Sequence, residues 1–145
     1  MLPALLKNGG IETTTIRADQ KRYQGLVFDA SSLDSAQSLV EIQEFFTPVL
    51  RQLAPCGRVV VLGRSVSETT STGAAIAQRA LEGFVRSVAK EIGSNGSTAN
   101  LVYVSKGAEG DVASTLDFLL SPKSAFVDGQ VVRVGSVAGL KAVAP

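Results

Sequence analysis

Three short runs in this chain are almost unbroken apolar sequence: LVFDA (26–30), VVVLG (59–63) and NLVYV (100–104). A strand with one wet face alternates apolar and polar residues. A continuous apolar run is buried on both faces, and parallel strands covered by helices are the usual case. The runs lie within predicted strands Gly25 to Ala30, Arg58 to Gly63 and Ala99 to Ser105. Two weaker runs, Ile11 to Ile16 and Gln130 to Gly135, read as further strands.

Helical patterns separate them. From Ser35 to Leu53 the apolar positions are Ala36, Leu39, Val40, Phe46, Val49, Leu50 and Leu53. Asp34 is the expected N-cap, with Gln37 completing a capping box. Pro48 lacks an N–H and predicts a kink or restart, with Thr47 capping the second piece. From Ala74 to Ile92 the series Ala77, Leu81, Phe84, Val85, Val88, Ile92 marks a long amphipathic helix. Glu82 and Arg86 pair at i,i+4 on its polar side, and Gly93 is the expected left-handed cap. A shorter helix, Val112 to Leu120, stops at Ser121-Pro122.

Alternating strands and helices predict an α/β fold with right-handed crossovers. The expected architecture is a three-layer Rossmann-like or flavodoxin-like parallel sheet with helices on both faces. The chain is expected to lack the first strand of that architecture. The early glycine cluster Asn8-Gly9-Gly10 precedes a strand instead of following one, so it reads as a helix C-cap and turn, not a phosphate loop. Residues 1–135 read as one α/β domain and residues 136–145 as a C-terminal tail or linker.

Several function classes are excluded. Lys and Arg number 14 against 13 Asp and Glu, and the only basic pair is Lys21-Arg22. Neither nucleic acid nor an anionic membrane is expected as a partner. The first Lys follows the N-terminal apolar stretch, the reverse of a signal peptide. Cys56 is the only cysteine, which rules out an intrachain disulfide and points to a cytoplasmic setting. There is no histidine, which removes the commonest general base and metal ligand. No metal site is expected.

AQRALEGFVRSVAKEIG (77–93) resembles the long helix that follows the active site in short-chain dehydrogenases/reductases. FLLSPKSAFVDGQVVRVG (118–135) resembles their last helix, turn and strand. GRVVVLG (57–63) is similar to the strand leading to the catalytic serine, and GLVFDAS (25–31) is a weaker echo of an earlier strand. Within the family these segments resemble the 3-oxoacyl-acyl-carrier-protein reductases of fatty acid metabolism. EFFTPVLRQLAPCGRVVV (44–61) and the tail resemble the degenerate N-terminal domain of their long forms.

The resemblance implies a Tyr and a Lys four residues apart, the Lys lowering the Tyr pKa for proton transfer. Here Ala74 falls at the Tyr position and Gln78 at the Lys position. A shift of one residue brings Arg79 to the Lys position but puts Ala75 at the Tyr position. The only tyrosines are Tyr23 and Tyr103. The serine position falls on Arg64, beside Ser65. The helix Asn falls near Ser38, and the Pro-Gly of the nicotinamide pocket is Val104-Ser105. The expected reading is a non-catalytic domain with no catalytic residue and no cofactor of its own. NAD(P)H is expected only in a following catalytic domain of the same polypeptide.

Two roles stay open at this stage. One is assembly or docking, through a homo-oligomer built on helices 35–53 and 74–92 and against a reductase domain in the same polypeptide. Phe84 and Val85 widen the long helix's apolar stripe beyond one seam, and such surface calls for a cover. The other is a nucleotide, acyl-carrier or coenzyme A binding module. Asp29 could contact a ribose but fits better as a cap or arginine partner. Gly63-Arg64-Ser65 could hold an anion or form a solvated loop. Cys56, between Pro55 and Gly57, reads as an inert thiol.

Overall fold

The structure is a computed structural model that describes Thr14 and residues 21–135. The predicted strand 11–16, the Asn8-Gly9-Gly10 turn and the tail 136–145 therefore lie outside the described residues, Thr14 excepted. Among the described residues four parallel strands form one sheet in the order β1 (Tyr23–Asp29), β2 (Leu53–Gly63), β3 (Thr98–Val104), β4 (Val131–Val134). Helices α1 (Val40–Val49), α2 (Thr72–Ile92) and α3 (Ala113–Leu119) connect them.

The period of two along each strand sorts the core into two layers. Val59, Val61, Leu101 and Tyr103 pack with Phe46, Leu81, Val85 and Val88 of α1 and α2. Val60, Leu62, Val102 and Val104 pack with Val112, Leu116 and Leu119 at α3. Helices thus cover both faces, as the unbroken apolar runs require.

One expectation is corrected. The first two crossovers pass through α1 and α2 on one face, and the third passes through α3 on the other. All strands are parallel and are added in one direction, so the last crossover has the opposite hand. The second face of β2 and β3 is apolar at Val60, Leu62, Val102 and Val104, and α3 is the helix that covers these residues.

Local boundaries moved for identifiable reasons. Instead of an Asp34–Gln37 box, Ser35 and Ser38 bond reciprocally, each N–H donating to the other's Oγ at 3.2 Å. Helix α1 runs through Pro48 to Val49 with no restart at Thr47, because the proline falls in its last turn, where one lost bond does little damage. Gly93 keeps right-handed helical angles. A further 3₁₀ turn follows, and the left-handed residue is Gly96, with φ 77°. Strand β2 starts at Leu53, not Arg58, because Ala54 to Gly57 form a bulge against β1. Cys56 sits in it at φ 57°.

Arg58 holds the lower end of the sheet. Only 4% exposed, its guanidinium has no carboxylate partner among the described residues. Its NH1 donates to the carbonyls of Cys56 at 2.9 Å, Gly57 at 3.2 Å and Gly96 at 3.4 Å, and Nε donates to Ser121 O at 3.3 Å. Gly96 and Ser121 lie just beyond the C-terminal ends of α2 and α3, where helix dipoles are negative. Two helix ends thus act as the counter-charge to one buried cation.

Candidate functional site

In open α/β sheets ligands bind outside the C-terminal ends of the strands. Here that edge gathers Asp29 and Ala30 after β1, Gly63 to Ser65 after β2, and Val104-Ser105 after β3. The first turns of α2, with Ala74 and Gln78, belong to the same edge. The topology therefore brings most of the sequence-predicted positions together.

Gln78 is at its centre and is 1% exposed. Its Nε2 donates to Ala30 O at 2.8 Å and Leu33 O at 3.0 Å. Its Oε1 accepts the Arg64 N–H at 2.7 Å. One amide thereby joins the chain leaving β1 to the chain leaving β2. Only a group that both donates and accepts can do this, so a lysine ammonium would leave the Arg64 N–H unserved. The fit is close: a Cβ on Gly63 would stand 2.9 Å from Gln78 Oε1 and 2.9 Å from Leu81 Cδ1. The loop after β1 also presses on α2, since a Cβ on Gly73 would stand 2.9 Å from Asp34 O. The crevice between the ends of β1 and β2 is filled by the chain itself.

The other candidates are also engaged. Asp29 Oδ1 accepts both the N–H of Ser31 at 3.0 Å and its hydroxyl at 2.6 Å, a local turn and not an arginine pair. Arg64 NH1 donates to Val104 O at 2.9 Å and Glu109 Oε1 at 3.3 Å, so it spans β2 to β3. Ser65 Oγ is 2.9 Å from Ser67 Oγ. Ala74 offers only its N–H, which the Ser71 hydroxyl oxygen accepts at 3.1 Å as the N-cap of α2. Ser38 is held in the Ser35 turn, its hydroxyl donating to Ser35 O at 2.7 Å.

Tyr103 is fully buried, and desolvation, with the Glu82 carboxylate adding to it, pushes its pKa up to about 12. Its hydroxyl donates to Gln78 O at 2.8 Å, with Glu82 Oε1 at 3.3 Å. It is a neutral structural donor, the opposite of a tyrosine prepared to ionise.

The polar segment 67–72 is tied down in a way its composition does not reveal. Glu68 Oε2 accepts the Lys106 N–H at 2.9 Å, and this bond holds the Glu68 carboxyl below its usual range. Glu109 is lowered as well, first by its own backbone N–H and also by Arg64. Both depressed values make contacts that are intact above the unfolded glutamate pKa of roughly 4.3 and lost as pH falls through the folded values. Exchange of the Lys106 amide should therefore accelerate in acid, measured relative to buried amides of β3. An acid-insensitive ratio would show that Glu68 does not hold this loop.

Among the described residues no group of His, Cys, Asp or Glu side chains is placed to hold a metal ion. Cys56 is exposed at the opposite end of β2 and takes no part in this edge. Among the described residues no helix is long and apolar enough to cross a membrane.

No protein-family signature matches the chain, and no curated protein matches it. Solved structures do. Levodione reductase aligns with a TM-score of 0.61 at 17% identity, over 77% of this chain and 65% of that one. A short-chain dehydrogenase/reductase from Serratia marcescens aligns with a TM-score of 0.60 at 17% identity, over 78% of this chain and 64% of its own. A double mutant described as a Serratia marcescens short-chain dehydrogenase/reductase gives 0.61 at 17% identity. The chain has the Rossmann-like fold of these enzymes and spans about two thirds of their length.

Proposed function

We propose that this chain is a non-catalytic reductase-like domain, the N-terminal part of a longer 3-oxoacyl-acyl-carrier-protein reductase, and that it serves assembly or docking. The observation that carries this reading is the bonding of Gln78. The position that holds the family's lysine is here a buried joint between two strand ends, and the position of its tyrosine is Ala74. Reduction needs a bound, oriented hydride source and a proton donor. At the strand edge Gln78 is instead bonded to Ala30, Leu33 and Arg64.

On this reading NAD(P)H belongs to a catalytic domain elsewhere in the polypeptide, and the setting is cytoplasmic. The chain should neither bind NADH or NADPH saturably nor reduce acetoacetyl-coenzyme A. The double variant Ala74→Tyr, Gln78→Lys should stay inactive, because the new lysine breaks the joint without opening a cofactor site. Titration calorimetry and cofactor oxidation test this together. Turnover by the double variant, or saturable cofactor binding by the chain, would overturn the reading. Binding of coenzyme A alone would favour an acyl-carrier or coenzyme A module at the same edge.

A further inference from the structure

The sequence holds no basic pair beyond Lys21-Arg22, yet the fold gathers four cations on one flank of α2. At about 100° per residue, Arg79, Arg86 and Lys90 fall on the side of the helix that carries Glu82. Phe84, on the opposite side, meets Phe46 of α1. Next to this flank β4 continues the sheet. Its Arg133, in register with Tyr103, sets its guanidinium 5.6 Å from the centroid of that ring. All four cations are exposed. Val85, expected to widen the outer stripe, is instead 1% exposed and packs on the sheet.

The carboxylates of this flank are already engaged. Glu82, its side chain 9% exposed, meets Arg79 at 2.9 Å and Arg86 at 3.7 Å and lies 3.3 Å from the Tyr103 hydroxyl. Asp128, just before β4, accepts the Ala99 N–H at 2.9 Å. Among the described residues neither Lys90 nor Arg133 pairs with a carboxylate. The whole chain is only +1, so the excess is local. From Arg79 to Lys90 the cations extend along about 16 Å of helix, too far for one small anion to meet them all.

We infer that this flank binds an acidic segment of a protein partner, laid along α2 over Arg79, Arg86 and Lys90 and reaching Arg133. The inference rests on the docking role proposed above and names the chemistry of the partner. Several carboxylates in a row match cations spread over three turns of helix. Single-stranded nucleic acid fits less well, because such sites add aromatic faces for base stacking to their cations. Tyr103, the ring beside Arg133, is only 2% exposed. Exposed cations steer and select an oppositely charged partner more than they add affinity, so the contact should depend steeply on salt.

Fluorescence anisotropy of a labelled deca-glutamate peptide, titrated with the 145-residue chain, tests this. The expected result is saturable binding at low salt that weakens as salt rises, since exposed charges are screened. Lys90→Glu and Arg133→Glu should each weaken it on the order of tenfold. Arg51→Glu makes the same change of charge at an exposed position after α1 and should leave binding as it was. Lys90 has no ion pair to lose among the described residues, so its variant should melt with the parent. No binding at low salt, or equal weakening by Arg51→Glu, overturns the inference. So does tighter binding of a single-stranded oligonucleotide through the same residues. Cofactor turnover by a chain that still binds the peptide would overturn only the non-catalytic reading.

Discussion

Replacing Gln78 with Leu should be the most damaging conservative-sized change in this domain. The side chain is buried and its three hydrogen bonds all go to backbone groups of other segments. Leu fills a similar volume but leaves the Arg64 N–H and the carbonyls of Ala30 and Leu33 without their side-chain partner. Each orphaned buried group costs about 1–3 kcal/mol, so a loss of roughly 3–5 kcal/mol is expected. Equilibrium urea unfolding checks it. Gln78→Glu keeps the acceptor for Arg64 but loses both donors, and it should also be destabilised. A midpoint unchanged in the Leu variant would show that water replaces the amide and that no joint exists at this edge.

The second large effect is expected from Arg58→Met. The apolar stem is conserved and the guanidinium is lost, which strips donors from Cys56, Gly57, Gly96 and Ser121. The ends of α2 and α3 lose the cation between them. Hydrogen bonds to a charged group contribute about 1.5–3 kcal/mol each at most, and Met recovers some packing, so a net loss of roughly 3 kcal/mol is expected. Arg58→Lys should recover only part, since an ammonium cannot reproduce the planar fork. Hydrogen exchange adds a readout specific to this role. Amides in the last turns of α2 and α3 should lose protection together, and loss in only one helix would contradict the shared counter-charge.

The strand cores were legible because parallel strands buried on both faces leave an unbroken apolar run. The long helix was legible from its stripe of Ala77, Leu81, Val88 and Ile92. Less was legible where a residue's partner lies far away in sequence. The same pattern that located α2 could not say which side of its stripe meets the sheet, so Val85 was placed outside when it is inside. Gln78 was recognisable as a missing lysine, but nothing in the sequence tells that its amide bonds Ala30, Leu33 and Arg64. Glu68 carries no signal of its own in the sequence, because its acceptor role depends on the Lys106 amide, thirty-eight residues on. The bulge at Ala54 to Gly57 was invisible because a left-handed cysteine has no sequence signature of its own.

The order of the strands has a further consequence. Among the described strands spatial order and chain order coincide, so each needs only its predecessor to dock against. Nothing has to wait for a later segment to be inserted between earlier ones, as a sheet that grows outward from its middle demands. Such a chain is suited to being assembled in step with its synthesis, since domains tend to fold as units from the N-terminal side. Arrested nascent chains ending after β2, β3 and β4 should acquire protease resistance in increments, with the largest increment when α2 and β3 have both emerged.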